Sequence, residues 1–230
     1  MLARLPWHTG GVDPHPQRLA DARLYLVCDE PSDVFLDSAL RGGVQVVQLR
    51  MKGASDAQIL GAASRVARAC ATHGALFILN DRPELVAPAG ADGVHVGQDD
   101  MTVAEARSLV GERAIVGLST HTPAQVDAAA ELGADYIGVG PVHETPTKPG
   151  RAAVGLDLVR YASEHAQMPF FAIGGISPAN VGDVRAAGAR RVAVVRALTQ
   201  ARDPADVARR LQRALADPQR RPTGAGVGPA

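Results

Sequence analysis

The sequence has little of several things that mark particular classes of protein. Lysine is nearly absent, because only two of the 24 basic residues are lysines, Lys52 and Lys148. Basic and acidic residues balance at 24 each, so the positive excess of a nucleic-acid-binding surface is missing. No apolar run approaches the roughly 18 residues of a membrane-spanning helix, and residues 1–20 lack the apolar stretch of a signal peptide. We therefore expect a soluble protein with neither a nucleic-acid nor a membrane partner.

Cysteine and aromatic residues are also scarce. Cys28 and Cys70 have no partner at metal-binding spacing, and two thiols in 230 residues are typical of a reduced, cytoplasmic protein. Aromatic residues make up 3% of the chain and hydrophobic residues 46%, so the core has to be built mainly from Ala, Val, Leu and Ile. Any anion must then be bound by a few placed cations rather than by a general positive field.

Short apolar runs alternate with amphipathic stretches over most of the chain. The runs predicted as strands are residues 24–29, 44–50, 76–81, 93–97, 114–120, 136–140, 170–175 and 191–197. Continuous apolar character is typical of parallel strands that are covered on both faces. Residues 1–20 and 218–230 lack periodicity and are predicted to be a flexible arm and a flexible tail.

Helix-capping patterns occur between these strands. Three pairs have the spacing of a capping box: Ser55 with Gln58, Thr102 with Glu105, and Thr122 with Gln125. Eight strands alternating with eight helices predict a single (β/α)8 TIM barrel over residues 21–217. A doubly wound open sheet is the alternative, but no G-x-G-x-x-G follows the first predicted strand.

Polar side chains concentrate at the carboxyl ends of the predicted strands, where barrels of this kind hold their reactive groups. Asp81 and Asp100 follow neighbouring strands and are predicted to bind Mg²⁺, because hard oxygen ligands without His or Cys favour that ion. Capping of the following helices is the alternative for these two residues. Capping is also the interpretation that we favour for Asp99.

Cations lie opposite these carboxylates in the predicted barrel. Gln48, Arg50 and Lys52 share one face of an extended chain, since side chains two residues apart project together. The fork of an Arg and the point charge of a Lys suit phosphate groups. Together with Lys148 and Mg²⁺, these residues predict a diphosphate site.

Two later loops add candidates for binding. The stretch IGGISPANV predicts a helix that starts at Pro178, capped by Ser177, with a second phosphate at its amino end. The stretch HETPTKPG carries Thr145, Thr147 and Lys148 and is predicted to cover the mouth of the barrel. A tight turn and an ordinary polar loop are the respective alternatives.

Six motifs, in this order, resemble the thiamine phosphate synthase family. They are QLRMK, ILNDRPELVAPAGADGVHVGQDD, VGLSTHTPAQV, GADYIGVGPVHETPTKPG, FAIGGI and GARRVAVVRALT. The resemblance runs from about residue 22 to residue 215. It implies a Mg²⁺-dependent, typically dimeric transferase that joins hydroxymethylpyrimidine diphosphate to a thiazole phosphate and releases pyrophosphate. The implied mechanism is dissociative, with the bond to the diphosphate breaking first.

The resemblance also implies a role for each matching residue. The pyrimidine diphosphate would be bound by Gln48, Arg50, Lys52, Asn80, Ser119 and Lys148. Of these, Arg50, Lys52, Ser119 and Lys148 would be catalytic. The thiazole phosphate would be bound by Thr145, Thr147, Gly175, Val195 and Arg196, and Mg²⁺ by Asp81 and Asp100. The sequence departs from the family pattern at His143, Glu144 and Arg196.

Two other functions have to be weighed. A thiazole tautomerase shares the same barrel, and His121 lies in the loop where that family has its catalytic histidine. A tautomerase, however, has no use for a diphosphate site. A non-catalytic phosphate-binding barrel is expected to lack part of the Mg²⁺ and cation set. His73 and His95 are interpreted as structural.

Overall fold

The structure, a computed structural model, describes residues 15–145 and 152–216. The strands are β1 Leu24–Cys28, β2 Val46–Leu49, β3 Leu76–Asn80, β4 Gly93–Val96, β5 Ile115–Thr120, β6 Tyr136–Val139, β7 Phe170–Ile173 and β8 Val192–Val194. The helices are α1 His15–Asp21, α2 Asp33–Arg41, α3 Asp56–His73, α4 Val86–Ala89, α5 Val103–Val110, α6 Pro123–Ala128, α7 Gly155–His165, α8 Val181–Ala186, α9 Arg196–Thr199 and α10 Pro204–Ala216. None of the helices in these ranges has the length and apolar character needed to cross a membrane.

The eight strands form a closed parallel barrel. They pair in chain order, and β8 pairs in turn with β1, so that Leu26 lies opposite Val47 on one side and Val194 on the other. Each strand lies within the apolar run predicted for it. The prediction of a single (β/α)8 TIM barrel is confirmed, and closure leaves no strand edge unpaired.

Side chains alternate between the barrel interior and the helical layer outside it. In β1, for example, Tyr25 and Val27 belong to the interior cluster, whereas Leu24, Leu26 and Cys28 pack among the helices. Because both faces of each strand are buried, the strands read as continuous apolar runs. The same alternation decides which polar side chains at the strand ends face inward.

Three of the few aromatic residues fill the barrel interior. The ring centroids of Tyr25 and Phe171 are 5.2 Å apart, and those of Tyr136 and Phe171 are 5.7 Å apart, both with edge-on geometry. Gly117 makes room for this cluster, since a Cβ atom there would lie 2.2 Å from Cζ of Tyr136. Two of these rings therefore carry hydroxyl groups into an otherwise apolar interior.

Helix α1 packs at the amino end of the barrel. Leu19 is buried in the interior cluster, and the Arg18 guanidinium donates to the carbonyl oxygen of Gly74 (2.9 Å). The helix occupies residues for which the sequence predicts a flexible arm. Seven residues are too few for a stable isolated helix, and these tertiary contacts supply the stabilisation that the local sequence lacks.

The capping patterns are largely confirmed. Both reciprocal bonds of the capping box form at Ser55 and at Thr102, so Thr102 rather than Asp99 is the N-cap of α5. At Thr122 only the hydroxyl half forms, because the Gln125 side chain accepts from the backbone N–H of residue 121 instead (2.7 Å).

The helix start predicted at Pro178 is wrong. Helix α8 begins at Val181, and residues 178–180 form a turn. Asn180 stabilises this turn, since its side chain accepts from the N–H of Ser177 (2.8 Å) and donates to the carbonyl of Gly175 (2.9 Å). Ser177 is therefore part of a turn and is not the helix cap.

Candidate active site

A cavity of about 300 Å³ lies at the carboxyl end of the barrel. Every strand contributes at least one residue to its wall: Val27, Gln48, Asn80, His95, Ser119, Gly138, Ile173 and Val194. This is the end at which barrels of this fold carry their active sites. The cavity is therefore the first candidate for a functional site.

The residues selected from the sequence come together in this cavity. Its wall includes Gln48, Arg50, Lys52, Asn80, Asp81, Asp100, Ser119, Thr145, Gly175, Val195 and Arg196. Two further candidates, Thr147 and Lys148, lie outside the described residues. Residues chosen because they follow the carboxyl ends of predicted strands thus line one cavity, although they are up to about 150 residues apart in the chain.

Two carboxylates and a lysine form one group in the wall. The Lys52 ammonium lies 3.3 Å from Oδ2 of Asp81, and a carboxylate oxygen of Asp100 accepts from the N–H of Gly97 (3.1 Å). Burial raises the pKa of Asp81, the Asp100 carboxylate raises it further, and Lys52 opposes the rise. Two negative charges this close call for more positive charge than one lysine provides.

The backbone of Asp81 is also unusual. Its φ angle is 58°, in the left-handed region that residues other than Gly seldom occupy, although Asp is among the more tolerant. The N–H of Asp81 donates to the carbonyl of His95 (2.9 Å), which ties the end of β3 to β4. The Asp81 side chain lines the cavity, and Arg82 rather than Asp81 is the N-cap of the short helical turn at Pro83–Leu85.

The donor set fits a hard divalent cation. Asp81 and Asp100 offer carboxylate oxygens, and neither His nor Cys joins them. Within residues 15–145 and 152–216, no group of three or more His, Cys, Asp or Glu could hold a metal ion. An ion here would be held by two carboxylates and completed by oxygens of water or substrate, which is the usual arrangement for Mg²⁺.

Arg50 and Asn80 extend this wall. The N–H of Arg50 donates to the carbonyl of Cys28 (2.8 Å), which continues the pairing of β1 and β2 past the end of the strand. In the part of the chain that the structure describes, no carboxylate forms an ion pair with Arg50. Its guanidinium is thus positioned to take an anion as its counter-charge.

The loops after β6, β7 and β8 make the opposite wall. The N–H of Val142 donates to the carbonyl of Ile173 (2.8 Å), and that of His143 to the carbonyl of Gly174 (3.1 Å). Gly174 and Gly175 both have positive φ, and Cβ atoms there would lie 2.6 Å from Pro141 and 2.7 Å from the His143 side chain. The glycines are needed for this close packing of loops.

The floor holds residues that the sequence reasoning missed. His95, interpreted there as structural, lines the cavity, with Nδ1 3.0 Å from the Tyr136 hydroxyl and Nε2 2.9 Å from Oγ of Ser119. Tyr25 also reaches the cavity. The alternation in GVHVG, between two small glycines, was a sign that His95 faces inward.

His121 and Glu144 line the cavity as well. Nδ1 of His121 contacts the carbonyl oxygen of Gly140 at hydrogen-bonding distance, which fixes the ring against the loop after β6. Glu144 is exposed at the rim and adds a negative charge on the side of Thr145 and Arg196. These positions differ in character from the cation-rich wall around Arg50.

Comparisons with known proteins point to one family. The chain is 51% identical over 189 residues to a thiamine-phosphate synthase of Gloeobacter violaceus, covering 81% of this chain and 55% of that protein. It thus spans about half the length of this relative. It is 46% identical over 226 residues to a thiamine-phosphate synthase of an Arthrobacter species, covering 86% of this chain and 95% of that one.

A solved structure and a family model extend the comparison. The thiamine phosphate pyrophosphorylase from Pyrococcus furiosus superposes with a TM-score of 0.78 at 27% identity, covering 87% of this chain and 97% of that one. The family model described as thiamine monophosphate synthase matches residues 24–198, which include all eight strands. The resemblance drawn from the sequence motifs is confirmed: the chain belongs to the thiamine monophosphate synthase family.

Proposed function

We propose that the chain is a thiamine-phosphate synthase, a transferase that joins hydroxymethylpyrimidine diphosphate to a thiazole phosphate and releases pyrophosphate. The observation that carries the proposal is the single cavity in which Arg50 and Lys52 lie beside the paired carboxylates Asp81 and Asp100. A site with cations and a place for a divalent ion suits a diphosphate leaving group. The names of the relatives support the same activity.

On the cation-rich wall, the chain binds the diphosphate. Arg50 offers a planar fork of N–H donors and Lys52 a mobile point charge, and Asn80 adds an amide at the end of β3. Lys148, outside the described residues, is proposed to complete the set. Gln48 and Ser119 lie deeper and contact the pyrimidine end of the same substrate.

On the opposite wall, the chain binds the thiazole phosphate. Thr145, Gly175, Val195 and Arg196 come from three successive loops and offer a hydroxyl, backbone groups and a guanidinium. Thr147, outside the described residues, belongs to the same proposed set. With the substrates held on facing walls, the thiazole nitrogen is directed at the carbon that carries the diphosphate.

The reaction then needs leaving-group stabilisation more than a base. The carbon–oxygen bond to the diphosphate breaks, the bonding electrons leave with the diphosphate, and the pyrimidine methylene cation bonds to the lone pair of the thiazole nitrogen. Arg50 and Lys52 stabilise the negative charge that develops on the departing oxygen. The buried floor of the cavity keeps water away from the cation.

A divalent cation belongs to this proposal. Mg²⁺ bound by Asp81 and Asp100 would add Lewis-acid stabilisation of the diphosphate. The raised pKa of Asp81 supports the assignment, because it reflects first the burial of the carboxylate and then the neighbouring charge of Asp100, which Lys52 only partly offsets. A homodimer in the cytoplasm, expected from the family resemblance and from the reduced cysteines, completes the proposal.

The experiment is product formation with purified full-length protein. Both substrates are incubated with Mg²⁺ or with EDTA, and thiamine phosphate and pyrophosphate are measured separately. Equal amounts of the two products, formed only with the metal, are expected. Absence of both products under every condition would refute the proposed activity.

A thiazole tautomerase is the second candidate, because His121 lines the same cavity. This activity would interconvert thiazole phosphate isomers without the pyrimidine diphosphate and without Mg²⁺. Incubation with the thiazole phosphate alone separates the two functions. Isomerisation that His121→Ala abolishes and Arg50→Ala leaves intact would favour the tautomerase.

A further inference from the structure

Five side chains below the cavity form a continuous series of hydrogen bonds, named here the buried chain. Nε2 of Gln48 donates to the Tyr25 hydroxyl (2.8 Å), which lies 2.8 Å from the Tyr136 hydroxyl. The Tyr136 hydroxyl lies 3.0 Å from Nδ1 of His95, and Nε2 of His95 lies 2.9 Å from Oγ of Ser119. The buried chain thus links β2, β1, β6, β4 and β5 across the barrel.

Counting hydrogens gives the buried chain a direction. Because Tyr25 accepts from Gln48, its own hydrogen has to go to Tyr136, the other partner of that hydroxyl in the described residues. In this direction, Tyr136 accepts the Tyr25 hydrogen and would donate its own to Nδ1 of His95, 3.0 Å away. The opposite direction requires the Gln48 amide to be turned over, so that Oε1 faces Tyr25.

Because the tyrosine hydroxyl groups of the buried chain are shielded from solvent, each depends on its neighbours in the chain for its hydrogen bonds. Tyr25 and Tyr136 are 2% and 1% exposed, so their hydroxyls depend mainly on protein partners for their hydrogen bonds. Burial also raises the pKa of both tyrosines further above the ordinary value, and both hydroxyls therefore keep their hydrogen at neutral pH. Each hydroxyl has one hydrogen to donate and donates it along the buried chain.

We propose that His95 is a positioning residue, held by Tyr136 with Nδ1 unprotonated and Nε2 protonated, so that it donates to Ser119 and turns the Ser119 hydroxyl hydrogen into the cavity. Ser119 lines the cavity, and its Oγ lies 2.9 Å from Nε2 of His95, from which it would accept in this tautomer. Its hydrogen then goes to an acceptor atom of the pyrimidine diphosphate. The inference therefore rests on the proposed function and assigns to His95 the task of setting the polarity of one contact with substrate.

The surroundings support this geometry. Nε2 of Gln98 donates to the backbone carbonyl of Ser119 (2.6 Å), which fixes the end of β5. Gly138, on the neighbouring strand, lies beside the imidazole, and a Cβ atom there would be at ordinary van der Waals distance, 3.5 Å, from Cε1 of His95. The ring is thus held by hydrogen bonds at both nitrogens and by packing at its edge.

The tautomer can be measured directly in the unaltered protein. In full-length protein labelled with ¹⁵N-histidine, the His95 signals are assigned by their loss in His95→Gln. At neutral pH, Nδ1 is expected to give the signal of an unprotonated nitrogen and Nε2 that of an N–H. A protonated Nδ1, alone or together with Nε2, would overturn the proposal whatever the activity of the protein.

A double-mutant cycle tests whether Tyr136 acts through Ser119. Removal of one placed donor costs on the order of 100-fold in kcat, and we expect that loss for Ser119→Ala. For Tyr136→Phe we expect about 10-fold, and for the double variant no more than for Ser119→Ala alone. Losses that multiply to about 1000-fold would show that Tyr136 acts independently, and the proposal would be wrong.

Two further variants separate positioning from general stability. His95→Gln keeps an N–H near Ser119 and is expected to retain about 10-fold more kcat than His95→Leu, with similar melting temperatures. Equal kcat for the two would contradict the proposal. Tyr161→Phe is the matched control, because the third tyrosine of the chain lies in α7, partly buried and outside the cavity, with its hydroxyl bonded to Asp127 (2.7 Å); loss of that hydroxyl should leave kcat unchanged.

The assays also keep this inference apart from the proposed function. No thiamine phosphate from the unaltered protein would refute the function, while the histidine signals would still decide the direction of the buried chain. Normal turnover together with the opposite tautomer would support the proposed function and refute the proposed role of His95. Each result thus bears on one statement and leaves the other to its own measurement.

Discussion

Replacement of Asp81 by Asn should stabilise the metal-free protein while it abolishes activity. Asp81 has a left-handed φ of 58°, which Asn tolerates as well as Asp does. Its carboxylate is disfavoured by burial and by Asp100, and Lys52 offsets only part of this. We therefore expect opposite effects on stability and on turnover from a change of a single atom.

The magnitude follows from two charge–charge contributions. Repulsion between two carboxylates at the cavity wall is on the order of 1–2 kcal/mol. The pair with Lys52, whose side chain is 56% exposed, offsets about 0.5 kcal/mol. Asp81→Asn should therefore raise the free energy of unfolding by about 1 kcal/mol, which corresponds to about 2–4 °C in Tm for a chain of this size.

Asp81→Ala is the matched control for backbone strain. It removes the same charge, but Ala in the left-handed region costs about 1 kcal/mol or more and has no polar side chain to bond locally. Its Tm should therefore stay near that of the unaltered protein. The difference in Tm between the Asn and Ala variants measures the backbone strain, and the difference in Tm between Asp81→Asn and the unaltered protein measures the effect of the charge.

The effect should also depend on pH. Since the fold raises the pKa of Asp81, this group favours the folded state below the pKa of the unfolded chain, and that advantage is lost as the pH rises through the folded pKa. The advantage of Asp81→Asn should thus be largest near pH 7 and vanish on the acid side. Thermal unfolding in EDTA from pH 4 to 8 measures it. A lower Tm for Asp81→Asn at pH 7 would refute the reasoning.

Three further changes test other parts of the structure. Arg50→Ala should lower kcat/KM for the pyrimidine diphosphate about 100-fold, because it removes a charge-assisted contact with the leaving group. Arg160→Ala, on the exposed face of α7, should leave kcat/KM unchanged. Equal kcat/KM values for the two variants would show that Arg50 does not bind the substrate. Burial raises the pKa of Cys28 to about 12, so a thiol reagent at pH 8 should react only as the protein unfolds, and prompt labelling would contradict the burial. Gly117→Ala should lower Tm by about 4 °C or more, since the new Cβ atom would lie 2.2 Å from Tyr136; an unchanged Tm would mean that the ring moves freely.

Much of the fold could be predicted because its determinants are local. A parallel strand buried on both faces requires a continuous apolar run, and each of the eight runs contains its strand. The helix starts at Ser55 and Thr102 depend on residues within three positions, so the capping box located them. Helix α1 escaped prediction because a contact with the distant Gly74 helps to stabilise it. The turn at Asn180 is local, but it depends on the Asn180 side chain bonding back to Ser177 and Gly175, and a Ser-Pro pattern alone does not reveal those bonds.

The candidate site also has a part that could be predicted from the sequence and a part that could not. Arg50, Lys52 and Asp81 were found from their places at strand ends, a rule that needs only the order of the elements. The contact of Tyr25 with Tyr136 joins residues 111 positions apart and exists only because the barrel closes. The sequence by itself determined the barrel and its polar rim, since these depend on periodicity and chain order. Only the tertiary structure decided which inward-facing side chains meet, because that depends on strand register and on the space left by glycines such as Gly117.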